Sequence, residues 1–267
     1  MERIESTKNP RIKQLMELQQ KSSARRRTGL FVVEGRRELD HCLEAGYQVD
    51  TLFVCPQLCG DGPLPQAAHT LELSPQLYER VAYRGTTEGV IAQVRSRSLR
   101  LADIAPATTG RAPLFVVLEG VEKPGNLGAV LRSADAAGVD AVVVCDPLTD
   151  LYNPNLIRSS LGAIFTVPTV ACPSEECISF LQAHGVQILT AQLQDSLPYY
   201  DTPMLQATAI VMGTESTGLS PQWRQAADRH IRIPMLGRLD SLNVSVSAAI
   251  LMFEAVRQRQ SQGVENK

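Results

Sequence analysis

Three short stretches of the 267-residue sequence combine glycine with polar and charged side chains in patterns that could do chemistry. Residues 118–138 read LEGVEKPGNLGAVLRSADAAG. Asn126 is placed to cap a helix beginning there, and Arg132 lies close to two turns further on. An arginine beside a helix N-terminus suits an anion such as phosphate; a surface pair with Asp135, three residues on, is the alternative. Gly120, Gly125 and Gly128 are spaced G-x4-G-x2-G, which is neither the dinucleotide fingerprint nor the Walker loop. Residues 210–220 read IVMGTESTGLS. Gly213 and Gly218 let backbone approach a ligand or another chain segment closely. Glu215 is the only acid of this stretch and serves at least as a loop hydrogen-bond acceptor. In residues 231–250, Ser241 and Asn243 are N-cap types ahead of an apolar helix. The small residues Ser245, Ser247, Ala248 and Ala249 allow that helix to pack closely on other backbone.

Each stretch follows an apolar strand. The spacing predicts strands at 114–119, 141–145, 164–170, 186–191, 208–212 and 230–233. Helices are predicted at 126–137, 153–161, 174–184, 221–227 and 244–259. Continuous apolar strands alternating with helices indicate a parallel sheet covered on both faces. Ligands in such sheets bind beyond the carboxyl ends of the strands. Upstream lies a smaller α/β pattern. It has a helix at 8–20 with apolar Ile12, Leu15, Met16 and Leu18, a basic loop at 22–29 and a strand at 31–33. A helix at 34–45, a strand at 49–55, a loop at 59–65, a helix at 74–83 and a strand at 90–94 follow. The expected organisation is a domain at 1–100, a linker at 101–113 rich in Ala, Thr and Pro, and a larger domain at 114–267.

The chain has 26 basic and 28 acidic residues, a formal net charge of −2, which hides a polarised distribution. Residues 1–111 hold 16 basic and 13 acidic side chains, and residues 112–267 hold 10 and 15. Between Lys8 and Arg37 nine basic residues face two acidic ones. Such a cluster is a footprint for a phosphate backbone, or else a solvated helix face with a basic turn. Aromatics are sparse there, so backbone contact rather than base stacking is indicated. At 44 % apolar and 20 % charged residues the chain is not a disordered one. No apolar run reaches the roughly 18 residues of a membrane span, and no signal-peptide pattern opens the sequence. The expectation is a cytoplasmic protein with no membrane partner. The six cysteines form no CxxC pair; Cys55 with Cys59, and Cys172 with Cys177, could be read as half-sites, but no metal site is expected and reduced thiols are the economical reading.

Taken together, the stretches N-L-G-A-V-L-R-S-A-D-A-A-G (126–138), G-T-E-S-T-G-L-S (213–220) and I-P-M-x-G-x-x-x-S-L-N-V-S-x-S-A-A (233–249) resemble the three motifs of the SpoU/TrmH branch of the SPOUT RNA methyltransferases. Their order and spacing agree over about 150 residues. The segments S-T-K-N-P-R-I-K and F-V-V-E-G-R-R-E resemble, more loosely, the ribosomal-protein-like RNA-binding domain that often precedes this catalytic domain. The resemblance implies a SPOUT α/β domain with a parallel sheet and a deep trefoil knot, preceded by a small α/β RNA-binding domain. It implies transfer of a methyl group from S-adenosylmethionine to a ribose 2′-hydroxyl of RNA, with 23S rRNA the expected substrate, by a homodimer whose active sites lie close to the interface.

By the same resemblance Leu189, Thr190, Gly213, Ile233 and Leu242 line the cofactor pocket. Arg132, Asn126, Glu215 and Asn243 form the catalytic set. The basic cluster points to Lys8, Arg11, Arg25, Arg26, Arg27 and Arg36 as RNA contacts, and the resemblance adds Ser241. Arginine is effectively always protonated, so Arg132 is expected to clamp an anion and favour the developing alkoxide rather than act as a general base. One departure stands out. Family members commonly carry G-N-E-G-x-G in the second motif, and here Thr214 and Ser216 replace Asn and Gly, so a backbone position suited to positive φ is expected to be strained or reshaped. The alternatives are the same reaction on tRNA, a non-catalytic RNA-binding or ribosome-assembly role, and a nucleotide-dependent oxidoreductase. The separate N-terminal domain favours rRNA, the retained Asn126, Arg132 and Asn243 favour catalysis, and the missing phosphate fingerprint disfavours the last.

Overall fold

The computed structural model describes residues 2–60, 62–83, 88–104, 110–214 and 216–265, with side chains to residue 261. The chain forms two compact units, Met1–Arg97 with Asp150–Thr166, and Ser98–Thr149 with Val167–Lys267.

In the first unit, β1 (Glu2–Ile4), α1 (Pro10–Gln20), α2 (Ser22–Thr28), β2 (Leu30–Glu34), α3 (Arg36–Glu44), β3 (Val49–Val54), α4 (Pro56–Cys59), β4 (Ala67–Leu73), α5 (Pro75–Val81) and β5 (Val90–Arg95) follow one another. The sheet order is β1-β4-β3-β5-β2, with β5 antiparallel to both neighbours and the remaining pairs parallel. α1 forms because Asn9 Oδ1 accepts from Arg11 N at 2.8 Å and Pro10 opens the first turn. Its predicted stripe of Ile12, Leu15 and Leu18 is fully buried, each side chain contributing about 1.5–3 kcal/mol. The stretch read as a basic loop is helix α2 instead. Nothing in Ser22–Thr28 breaks a helix until Gly29, whose left-handed backbone (φ 65°) ends it. β4 escaped the sequence reading because its exposed Ala68 and His69 blur the strand alternation.

The second unit opens at a short turn, Leu101–Asp103, whose Leu101 and Ile104 are buried in its core. That part of the expected linker is therefore packed structure, and residues 105–109 lie outside the described ones. β6 (Leu114–Glu119), α6 (Pro124–Ala137) and β7 (Ala141–Cys145) follow. The chain then enters the first unit as α7 (Pro154–Ser159) and α8 (Ala163–Thr166). Phe31 stacks on Tyr152 with ring centroids 4.2 Å apart, and Phe165 packs on Phe31 and Tyr47. β/α alternation does not say which core a helix joins, so the second domain expected at 114–267 is interrupted by residues 150–166. Residues 163–166 are also helical rather than part of the strand expected at 164–170. Pro168 has no N–H and biases Val167 away from helix, so the strand begins only after it.

β8 (Thr169–Cys172), α9 (Ser174–Ala183), β9 (Gln187–Ala191), β10 (Leu197–Pro198), β11 (Thr208–Met212), α10 (Pro221–Ala226), β12 (Arg229–Arg232) and α11 (Val244–Glu265) complete the second unit. Its seven strands are all parallel, in the order β10-β12-β9-β11-β6-β7-β8. Side chains of β6, β7 and β11 are buried throughout, as expected for a sheet covered on both faces. From β6 the chain runs outward to β7 and β8, then returns to β9 and β11 on the other side. The gap beyond β6, β11 and β9 is thus a topological switch point, where the crossovers leave room for a ligand. α11 packs on α6, β6 and β11 and buries Ala248, Leu251, Met252 and Ala255 completely.

Candidate functional site

Beyond the carboxyl ends of β9 and β11 lies a cavity of about 460 Å3. Ala191–Gln194 after β9, Met212–Leu219 after β11, Arg224 of α10 and Ser241, Leu242, Val244 and Ser247 line it. Glu215, inside that second stretch, is outside the described residues. A smaller cavity of about 130 Å3 shares Gly213, Thr214, Ser216 and Val244 and adds Gly120 and Asn126. All three motifs converge here.

The second motif is held by its own hydroxyls. Thr214 Oγ1 accepts from Thr217 N at 3.0 Å and lies 2.8 Å from Thr217 Oγ1, while Gly218 N donates to Thr214 O at 3.1 Å. The loop has a positive φ at Gly218 (68°). The hydroxyl of Thr214, which stands where the family commonly has Asn, closes the turn through side-chain bonds. Gly213 is required for a different reason. A Cβ there would stand 2.3 Å from Gly218 C and O and 2.5 Å from Leu219 N. The returning backbone passes directly against Gly213, closer than any side chain allows.

A buried acid ties this loop to the first motif. Glu119 at the end of β6 accepts from Ser220 N at 2.8 Å. Its other oxygen lies 3.4 Å from Ser174 Oγ, which accepts from Trp223 Nε1 at 2.9 Å and donates to Asp146 at 2.6 Å. The Ser220 amide, the Trp223 indole N–H and the Ser174 hydroxyl each face an acceptor, while the Ser220 hydroxyl is buried without a partner among the described residues. Glu119 was legible only as the last residue of an apolar strand.

The third motif reaches the first through Asn243. Its Oδ1 accepts from Ser245 N at 3.0 Å, capping α11, and its Nδ2 donates to Asn126 Oδ1 at 3.2 Å. Asn126 itself is not a cap. α6 begins at Pro124, whose fixed φ suits the first helical position, and Lys123 holds the cap position. Arg132 is six residues on, which is about 120° round the helix from Asn126. It is exposed and does not line either cavity. Of the residues expected to hold the cofactor, Gly213 and Leu242 line the large cavity. Leu189 and Thr190 do not: they are fully buried, with Thr190 Oγ1 2.6 Å from His230 Nδ1, and the residues just after them, 191–194, line it. Ile233 is not among the lining residues either. Gln192 and Arg224 line the cavity and were missed, since neither belongs to a motif. Gln192 Oε1 is a buried acceptor with no partner among the described residues, an opening for a ligand N–H.

The basic cluster divides. Lys8, Arg11 and Arg26 are exposed, and Arg27 is exposed with a weak pair to Glu17 at 3.4 Å. Arg25 cannot meet RNA. It is 5 % exposed, pairs with Asp150 at 2.6 Å, and also donates to Leu18 O. Arg36 is partly buried and donates to Cys59 O at 2.6 Å and Pro63 O at 3.3 Å, so it holds the loop after α4. Charge counting cannot separate an arginine that closes a helix end from one facing solvent. A further cavity of about 240 Å3 in this unit is lined by Glu34, Tyr83, Glu88 and Arg158 among others. Burial holds the Glu34 carboxyl above its ordinary range, opposed by hydrogen bonds from Tyr83 N and Gln19.

An all-parallel sheet with a glycine-walled pocket at its switch point defines a ligand-binding α/β domain, here joined to a separate mixed-sheet unit. A family model described as SpoU rRNA Methylase family matches residues 113–253, and one described as MRM3-like substrate binding domain matches residues 9–92. The chain belongs to the SpoU rRNA methylase family. It is 31 % identical over 253 residues to the 23S rRNA (guanosine(2553)-2'-O)-methyltransferase RlmP of Bacillus subtilis, covering 95 % of this chain and 98 % of that one. A crystal structure of an RNA 2'-O ribose methyltransferase superposes with a TM-score of 0.82 at 38 % identity, over 97 % of this chain and 99 % of that one. An AdoMet-bound rRNA methyltransferase from Sinorhizobium meliloti gives a TM-score of 0.85 at 29 % identity, over 96 % and 97 %.

Proposed function

We propose that this chain transfers a methyl group from S-adenosylmethionine to a ribose 2′-hydroxyl of ribosomal RNA, with 23S rRNA as the substrate. The second and third motifs line one cavity beyond β9 and β11, and the first motif meets both of them at the adjoining smaller cavity; this convergence carries the reading. At about 460 Å3 the cavity falls in the usual range for a small-molecule site. Gly213 supplies a wall of bare backbone, and the unpartnered Gln192 Oε1 suits an amine of an adenine or an amino acid. Gly213, Leu242, Gln192 and the residues flanking it would hold the cofactor, which supplies an electrophilic methyl on a sulfonium.

The remaining work falls to this chain's own side chains. The Asn126–Asn243 hydrogen bond fixes the mouth of the smaller cavity and orients the ribose. Glu215, outside the described residues, would help to organise the substrate by the family resemblance. Arg132 grips an RNA phosphate and favours the developing alkoxide, and its place outside the pocket of a single chain agrees with a homodimer whose sites lie near the interface. The exposure of Leu236 (98 %) and Leu239 (79 %), with Val246 and Phe253 half-exposed on α11, supports that dimer. The trefoil knot belongs to the same reading and is supported by the family membership. The first unit binds the RNA through Lys8, Arg11, Arg26 and Arg27, with Ser241 contacting RNA at the pocket. No helix among the described residues is long and apolar enough to cross a membrane, and the protein works in the cytoplasm.

Incubation with labelled S-adenosylmethionine and separated rRNA and tRNA pools tests the reading. Label in the rRNA pool, on a ribose 2′-oxygen, is expected. Arg132→Ala should abolish transfer with cofactor affinity nearly intact. Cofactor binding without label in rRNA would overturn the assignment, and a large loss of cofactor affinity in Arg132→Ala would overturn the role given to that residue.

A further inference from the structure

Three of the six cysteines meet inside the second unit. Cys145 ends β7, Cys172 ends the neighbouring strand β8 directly opposite it, and Cys177 lies on the first turns of α9. Their sulfurs all lie within 4.8 Å of one another, and all three residues are buried. Thiolates sharing one metal ion at about 2.3 Å stand about 3.8–4.0 Å apart. The observed triangle thus needs only a small contraction. Cys42 and Cys55 are equally buried but join no such set among the described residues. An isolated buried cysteine is a small apolar side chain. Three converging from two strands and a helix offer a ligand set.

We propose that Cys145, Cys172 and Cys177 form a binding site for a thiophilic d10 cation, zinc in the first place. The ligand chemistry is all sulfur, with no imidazole or carboxylate in the set, and thiolates select zinc and copper(I) over harder cations. Three thiolates carry three negative charges. Zinc leaves a residual −1 and copper(I) a residual −2, and in apolar surroundings the smaller residue costs less. Each sulfur–metal bond replaces an S–H bond whose proton goes to solvent, and no electrons are exchanged. β8 is the edge strand of its sheet, and Cys172 retains 8 % exposure. That edge provides the entry path and leaves zinc's fourth position to water. None of the three cysteines lines the large cavity, so the site does not depend on the methyltransferase reading.

The test uses the full chain, reduced and stripped of metal with a chelator. Titration with cadmium, followed by thiolate-to-metal charge-transfer absorption, should saturate at one equivalent per chain, and cadmium should release one equivalent of zinc from the zinc-loaded chain. Cys172→Ala and Cys177→Ala should each weaken uptake at least tenfold, while Cys59→Ala leaves it unchanged. Zinc should raise the unfolding midpoint of the wild-type chain and not that of Cys172→Ala. Circular dichroism of each variant confirms that it is folded, and Cys177→Ser serves if Cys177→Ala is not. No uptake by the wild type, or uptake that survives in the folded Cys172→Ala/Cys177→Ala double variant, would overturn the site. Binding of copper(I) with none of zinc or cadmium would overturn the assignment to zinc.

Discussion

Replacing Arg25 by glutamine separates structural from electrostatic arginines in the basic segment. Arg25 is 5 % exposed, and Asp150, its partner at 2.6 Å, keeps 15 % side-chain exposure. Removing one member of a buried pair costs about 3–5 kcal/mol because the other charge is left uncompensated. The residual solvation of Asp150 sets the expectation near the low end, about 3 kcal/mol. The first unit spans roughly 110 residues. At about 2.1 cal/mol/K per residue its unfolding entropy is about 240 cal/mol/K, so its transition should fall by roughly 12 °C. Calorimetry of the full chain reads this directly, and adding Asp150→Asn should recover part of the loss in a double-mutant cycle. RNA affinity measured against salt gives the second readout. Arg25→Gln should leave the slope unchanged, whereas Arg26→Gln should reduce it by about 0.7–0.9. A transition shifted by no more than about 2 °C, together with a reduced salt slope for Arg25→Gln, would refute the reasoning.

Two further outcomes follow from single residues. Gly213→Ala places a Cβ 2.3 Å from Gly218 backbone, so it should cost about 1–3 kcal/mol of stability and weaken cofactor binding by at least about tenfold. Gly125→Ala meets nothing within 4 Å and should change stability by no more than about 1 kcal/mol, in the stabilising direction; calorimetry and cofactor titration check both. Glu34 has its carboxyl raised by burial, so the folded state binds the proton more tightly than the unfolded chain. Stability should therefore fall as pH rises from the ordinary carboxylate range through the raised value, and Glu34→Gln should remove that component of the slope in urea unfolding at a series of pH values.

Much of the architecture was written in periodicity. The apolar runs at 114–119, 141–145 and 208–212 are strands β6, β7 and β11 to within a residue, because a strand buried on both faces leaves no polar break. The three motif loops were legible for the same reason, as the polar, glycine-bearing ends of such runs. Asn126 and Asn243 do meet, although 117 residues separate them and only the resemblance paired them in advance. The sequence could not show that Arg25 faces inward, since its partner Asp150 lies 125 residues away. Nor could it show that Leu189 and Thr190 are sealed in the sheet while 191–194 line the cavity. That distinction turns on one or two residues at a strand end. Gln192, Arg224 and Glu119 act through where the chain places them, and their types alone carried no signal.

The discontinuity of the first unit bears on how the chain is made. Residues Asp150–Thr166 complete a unit whose other residues end at Arg97. During synthesis, Arg25 and the Phe31 ring must wait for Asp150 and Tyr152 while 52 intervening residues are made. At about 5–20 residues per second that is roughly 3–10 s. For that interval the nascent chain carries an incomplete aromatic cluster and an unneutralised guanidinium. A fragment cut after residue 97 would carry the same defects permanently. The N-terminal unit is therefore not a detachable module: evolution or an engineer moving it to another protein must carry the later segment with it.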